Sequence, residues 1–453
     1  MYLVSRSQRE ASRTTLWIVP SAMVVLVALL FAVTYTIDGA AAKGAVALPA
    51  WISVGGADTA RQTLIALAAM VITVAGVVFS ITILVLQLAS QQFGPRMLRN
   101  FIRDAGTQVS LGSFVATFVF AVLALGSVQS SPSPLLVPHL SVTVALALTV
   151  IDQGVLIYFI HHVATSIQLT TVVSSIAHDF RVTLAATRND AKRLQLPHPS
   201  VAPALPPAEE IGPVVATTSG FLQAIGHERL VSIAASERAV IRLSHRPGHF
   251  LVQGQTVGLV APPEAAPAIA QALAREHLIG PHRTLTQDLG FALDQLVEIA
   301  IRALSPAVND TFTALNCIDW LGDCLCRAAG EPLPDGIYRD QDGAVRLIEP
   351  VVTLERLIKG ATDHIRQAGH GMPAVLIRQL ENLTKLLAAV QTEEQRAIVV
   401  RHAAMIVGAS NTSIAEALDR GDVQAAYDRL IAQAQRARSR GCRRSQADEH
   451  TQA

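Results

Sequence analysis

From Leu64 to Leu88 the chain is almost wholly apolar, and this run exceeds the roughly 20 residues a helix needs to cross the ~30 Å hydrocarbon layer of a bilayer. Such a stretch is predicted to span, because a helix satisfies its own backbone polar groups where no water is present. Its polar residues are not scattered. Thr73, Ser80, Gln87 and Gln91 fall within about 60° of one another at ~100° per residue, with Gly76 at the edge of the stripe. Lipid offers hydroxyls and amides no partner, so the stripe is expected to face another helix, a second subunit or a water-filled pathway.

Gly94-Pro95 should end this helix, since proline disfavours helical backbone in the residue before it. In the segment that follows, Arg96, Arg99 and Arg103 share one face while Met97, Leu98 and Phe101 lie away from it. That is the pattern of a short helix on the inner surface, and the arginines are also ordinary topology signals.

Three more spans are predicted, giving 16–37, 64–88, 111–128 and 140–160, with Trp17 and Tyr35 near the ends of the first. They account for 51% hydrophobic against 16% charged residues and a mean hydropathy of +0.39. Arginine and lysine collect before the first span, between the second and third, and after the fourth. Only Lys43 and Arg61 stand opposite. The positive-inside rule then places both termini of a multipass membrane protein in the cytoplasm. A net charge of +1 gives no global field for nucleic acid.

Asp152 falls near the middle of the fourth span, where an acidic side chain costs roughly 2.5–3.5 kcal/mol on insertion scales. It needs a partner: the Thr73/Ser80 stripe, Ser113 or Thr117, or water in a pathway. A protonated, hydrogen-bonded structural carboxyl is equally permitted.

Residues 164–213 read as a helical extension of the fourth span and a proline-rich linker. Residues 214–435 read as a cytoplasmic α+β domain, a small β unit followed mostly by helices, and residues 436–453 as a disordered tail. Within the domain, 214–218 and 239–244 are predicted strands around a helix in 220–235. The glycine spacing of 246–260 suggests a hairpin similar to half of a biotinyl/lipoyl-type unit, lacking that family's modified lysine and hence its carrier chemistry. A helix over 289–304 carries Asp288, Gln295, Glu298 and Arg302 along one polar edge, and Ser305, Asn309 and Asp310 follow. These seven are candidates for a cytoplasmic site, or for turn and cap residues of the next helix. A hairpin is expected in 331–350 and helices over 351–368, 373–390, 392–408 and 411–434. Cys317, Cys324, Cys326 and Cys442 lack zinc-ligand spacing and read as reduced thiols.

Several of these motifs occur together in a known family. Val78-Phe79-Ser80-Ile81-Thr82, the run Gln87 to Arg96, Leu98-Arg99-Asn100-Phe101, Ser219 to Ile225, Arg246-Pro247-Gly248, and Arg302 to Pro306 with Asn309-Asp310 resemble the bacterial membrane proteins grouped as domain of unknown function 2254. The resemblance implies a multipass membrane protein of unassigned activity. A proline commonly follows the Asn-Asp pair in that family, and Thr311 stands here instead.

The sequence has no P-loop glycine pattern, metal-ligand cluster or nucleophile–base pair, so neither an enzyme nor a cofactor is expected. Two readings remain open. One is a channel- or transporter-like subunit with a cytoplasmic regulatory domain, which must form a homo-oligomer to enclose a pathway. The other is a membrane-anchored sensor or scaffold whose cytoplasmic domain binds a ligand or protein. Both take the lipid bilayer as a partner.

Overall fold

A computed structural model of the chain describes residues 17–47, 49–52, 55–93, 104–128, 137–194 and 210–451. The chain divides into two compact units, Met1–Thr171 and Val172–Ala453. The predicted surface segment with Arg96, Arg99 and Arg103, and most of the proline-rich linker, lie outside the described residues.

The first unit is built on α1 (Ile18–Ala42), α2 (Ala57–Phe93), α3 (Ala105–Ser127) and α4 (His139–Ser166), each long and apolar enough to cross a membrane. Small residues set the packing, as expected where lipid supplies no hydrophobic drive between helices. A Cβ on Gly112 of α3 would lie 3.1 Å from Pro20 Cα of α1, so the two backbones meet closely there. Val27, Leu64, Phe120, Val142 and Ala145 form one buried cluster; Val71, Val78, Phe114 and Phe159 form a second.

Carboxylates fasten the helix ends. Asp38, one residue past the expected end of the first span at 37, is instead buried within α1, because that helix continues to Ala42. It accepts hydrogen bonds from the Leu140 and Ser141 amides at 2.8 and 3.0 Å and from the Ser141 hydroxyl at 2.8 Å, satisfying donors that the start of α4 would otherwise leave bare. Asp104 caps α3 through the Thr107 amide at 2.8 Å and meets His162 Nε2 at 2.7 Å.

The expectation that α4 continues unbroken past residue 164 is corrected. It ends at Ser166, and a separate helix, α5 (Leu169–Leu194), follows. The β-branched run Thr170-Thr171-Val172-Val173 sits at the new start, where side chains stiff at χ1 weaken helix continuity.

After α5, the second unit continues with strands and short helices: β1 (Gly212–Val215), β2 (Gly220–Ile225), α6 (His227–Ser236), β3 (Val240–Leu243), β4 (Phe250–Leu251), β5 (Thr256–Ala261), α7 (Ala266–Glu276) and β6 (His277–Gly280). α8 (Leu289–Ala303) and α9 (Thr311–Ala329) follow, then the hairpin β7 (Ile337–Arg339) and β8 (Val345–Ile348). α10 (Leu354–Ala368), α11 (Pro373–Ala389), α12 (Glu393–Ser413) and α13 (Ala417–Thr451) complete it. One sheet has the order β1-β5-β3-β8-β7 and the other β4-β2-β6. All pairs are antiparallel except β3 with β8. Leu222, Ile225, Leu230, Ile241, Leu251, Val260, Ile269 and Leu347 fill the core between the sheets and α6 and α7, each side chain contributing about 1.5–3 kcal/mol by burial.

Three expectations change here. Residues 220–225, placed in a helix-containing stretch, form β2, whose Leu222 and Ala224 face the core on alternate positions. The expected 246–260 hairpin does not form, since β4 pairs with β2 and β5 with β1 and β3; burying Leu251 and Val257 assigns the two strands to different sheets. The helix α13 runs through 436–451, where composition suggested a disordered tail, and its alanines, glutamines and arginines are good helix formers. Cys317 and Cys324 are buried free thiols, and burial pushes each up to about 12.

Candidate functional site

The residues proposed from sequence separate into groups that do not converge. In the first unit, Thr73, Ser80, Gln87 and Gln91 lie on the exposed face of α2. Thr73 donates its hydroxyl to Ala69 O at 2.7 Å and Ser80 to Gly76 O at 2.9 Å, so both are satisfied by their own helix. Asp152 is on a different surface, fully buried in the bundle. Its Oδ1 accepts from the Ser113 hydroxyl, one of the anticipated partners, and the stripe supplies none. Asp152 Oδ2 has no hydrogen bond among the described residues.

In the second unit, Asp288 and Gln295 are buried, Glu298 and Arg302 half-buried, and Asn309 and Asp310 exposed. Asp310 caps α9 by accepting from the Thr313 amide at 3.1 Å, and Ser305 closes the end of α8 by donating to Arg302 O at 2.7 Å. The capping role therefore holds for that end. Asp288 lies at the opposite end of a helix of about 22 Å, so the seven residues do not make one site.

Asp288 instead belongs to a cleft that the sequence reading missed. It caps α8, accepting from the Phe291 amide at 3.2 Å, and takes Arg283 Nε at 2.7 Å, while Arg283 Nη1 reaches Asp294 at 2.5 Å. The Arg283 guanidinium also sits 5.0 Å over the Phe291 ring. Burial alone would lower the Arg283 pKa, but the two carboxylates outweigh it and raise it.

The opposing wall is a tight turn. His249 N–H donates to Arg246 O at 3.1 Å, with Pro247 and Gly248 between them and Gly248 at φ +96°. Proline second and a positive-φ glycine third is the type II pattern, and it projects Arg246 and His249 from one small loop. The third wall is α10, whose Arg356, Lys359, Gly360, Asp363, His364 and Gln367 recur at helical spacing on one face. The cleft they enclose has a volume of about 490 Å³, within the range of small-molecule sites.

Its charges are unevenly matched. Arg283 is paired as above, and Asp363 has Arg366 at 3.7 Å. Arg246, Arg356 and Lys359 form no ion pair among the described residues. Arg246 is only 9% exposed. Burial, then the neighbouring Arg356, lowers its pKa. Burial and the Arg246 charge likewise push His249 down to about 4, leaving a neutral imidazole in a positive field.

Arg246 also lines a second cavity of about 60 Å³ with His227, Tyr338, Glu349 and Asp190. There the Tyr338 hydroxyl donates to Glu349 Oε1 at 2.6 Å and His227 Nε2 lies 3.0 Å from both carboxylate oxygens. Burial opposes charge on both partners, yet their attraction prevails, raising the His227 pKa and lowering that of Glu349.

The signal in sequence for this cleft was partial. Arg246-Pro247-Gly248 was visible as a motif and Asp288 as a candidate residue, but nothing local joins either to the face of α10. Among the described residues, no group of three or more His, Cys, Asp or Glu side chains is placed to hold a metal ion.

Residues 13–385 match the family described as predicted membrane protein (DUF2254), a range that includes Asp152 and every residue of the cleft. Uncharacterized proteins of Mycobacterium bovis and Mycobacterium tuberculosis are each 33% identical over 378 residues, covering 82% of this chain and 72% of theirs. No solved structure matches.

Proposed function

The chain belongs to the DUF2254 family of predicted membrane proteins, and from that premise we propose that it is a membrane-anchored sensor whose second unit binds a small-molecule ligand. The observation that carries this reading is the cleft between the Arg246–His249 turn, the start of α8 and α10, with its volume of about 490 Å³. Three separate chain segments converge on it, so a ligand there bridges elements whose relative position it can bias. The reading assigns binding and no catalytic step. It places the second unit in the cytoplasm of a bacterial inner-membrane protein, following the arginine and lysine distribution. The test is thermal unfolding of the full-length protein in nanodiscs against a metabolite library holding neutral, cationic and anionic members. Stabilisation by one class, lost when Gly360→Trp fills the cleft, supports the reading; a flat response across the library removes it.

A second reading, a channel- or transporter-like homo-oligomer, is favoured by one observation, the buried Asp152 Oδ2 inside a span with no hydrogen bond among the described residues, since intramembrane carboxylates mark ion and proton pathways. Proton or cation flux in liposomes that falls at least tenfold with Asp152→Asn supports it, and flux indifferent to that change counts against it.

A further inference from the structure

We propose that the ligand of this cleft carries a phosphate group, held by Arg246, Arg356 and Lys359, with an organic portion lying against the apolar side chains of the same walls. The proposal rests on the ligand-binding reading above and names its chemical class.

The argument begins with Arg246. A guanidinium is charged at all physiological pH values and is almost never buried without a partner. Here it is 9% exposed and forms no ion pair among the described residues, although Asp288 and Asp294 are near enough to act on it electrostatically. Those two carboxylates are engaged by Arg283 at 2.7 and 2.5 Å. The protein has therefore placed counter-charges in the cleft and committed them elsewhere, leaving Arg246 facing open volume.

The remaining cations set the charge of the occupant. Arg356 and Lys359 are exposed on one face of α10 and also lack ion pairs. A monocarboxylate would match one of these three cations, whereas a phosphate monoester carries close to two negative charges at neutral pH. Its oxygens suit the planar fork of arginine and the point charge of lysine. His249, held neutral by burial and by the surrounding arginines, adds a donor without adding charge.

Size sets the rest. A volume of about 490 Å³ exceeds what an inorganic phosphate fills, and pockets of this size hold organic molecules. Half-buried Val352 contributes apolar surface to the walls, backed by the buried Leu293 and Leu357. The occupant thus has a charged head near Arg246 and a body that leaves water. A soluble phosphorylated metabolite and a phospholipid headgroup share this chemistry.

Isothermal titration of the full-length protein in phosphatidylcholine nanodiscs tests it. The probes are AMP and inorganic pyrophosphate, with adenosine and succinate as controls. Binding of AMP and pyrophosphate that weakens with added salt and drops at least tenfold in both Arg246→Gln and Arg356→Gln is the expected result. Arg356 is exposed, so its variant stays folded if Arg246→Gln does not; Arg378→Gln, at an Asp319 pair that does not line the cleft, keeps full affinity. Competition against AMP by nanodiscs containing phosphatidylglycerol supports the same chemistry and assigns the headgroup as its source. If library members that are neutral or cationic bind while AMP and pyrophosphate do not, the phosphate proposal is overturned and the ligand-binding reading survives. If nothing binds, both fall.

Discussion

Gly248 is pressed against Asp288 so closely that a Cβ on the glycine would lie 2.6 Å from the Asp288 Cγ. The contact joins the turn that carries Arg246 to the carboxylate that caps α8 and holds Arg283. Only a residue without a side chain fits, and Gly248 at φ +96° also occupies backbone that other residues adopt at a cost. Gly248→Ala should destabilise the second unit by about 1–3 kcal/mol through strain alone and weaken ligand binding by displacing Asp288. Thermal unfolding and titration of the same preparation measure both, and a variant that keeps both would refute the assignment.

Asp38 offers a test in the first unit. Its carboxylate accepts three hydrogen bonds from Leu140 and Ser141, and Ser141 is fully buried. Asp38→Ala takes that acceptor from the Leu140 and Ser141 amides and leaves the Ser141 hydroxyl only Thr34 Oγ1 at 3.1 Å, at about 1–3 kcal/mol. The expected outcome is a lower unfolding temperature in detergent, with Asp38→Asn intermediate because it keeps one acceptor oxygen. Equal unfolding of all three proteins would contradict the pairing.

The buried His227, Tyr338 and Glu349 group predicts an order of severity. Glu349→Gln removes the carboxylate charge that raises the His227 pKa, and breaking a buried pair from one side costs roughly 3–5 kcal/mol. Tyr338→Phe removes one hydrogen bond at 2.6 Å and keeps the ring stacked on His227 at 4.5 Å, so about 1–2 kcal/mol is expected. Denaturant unfolding of the two variants should rank them in that order; the reverse would show that the His227–Glu349 contact is not an ion pair.

His277 predicts a pH dependence. Burial pushes its imidazole down to about 4, below the ordinary value near 6.5. Between those values the unfolded chain binds a proton that the folded chain does not, so stability rises with pH across the window. His277 contributes fully above about pH 6.5 and loses its contribution progressively as pH falls toward 4. His227, shifted upward by Glu349, has the opposite sign: its contribution is present at low pH and is lost only as pH climbs through its raised value. His277→Gln should therefore flatten the fall in unfolding temperature between pH 6.5 and 4, and a slope unchanged by the substitution would exclude this role.

The membrane helices were legible because long apolar runs need no partner to be recognised, and the Asp152 contact with Ser113 was among the options that burial cost allowed. The end of α1 was not, since Asp38 looks like a loop residue until Ser141, far along the chain, supplies the donors that make its burial tolerable. In the second unit the glycines near 246–258 correctly announced turns, but sheet membership was decided by which side chains reached the shared core, and that depends on strands more distant in sequence. The cleft was hidden for the same reason. Arg246, Arg283 and Arg356 each look like an ordinary surface cation in sequence; their meaning comes from being brought together with too few carboxylates to go round.

α2 contains 37 residues, about 55 Å of helix at 1.5 Å per residue, against a hydrocarbon layer of ~30 Å. Some 25 Å must therefore emerge into the headgroup zones or be absorbed by tilt. With the apolar run 64–88 centred on the acyl chains, Gln87 and Gln91 arrive at the level of glycerol and phosphate, where hydrated amides are at ease. Thr73 and Ser80 stay deeper but bond to their own backbone. Read along its length, the polar line on α2 makes no demand for a neighbouring subunit, whereas the Asp152 carboxyl, held at Oδ1 by Ser113, keeps a buried Oδ2 with no hydrogen bond among the described residues.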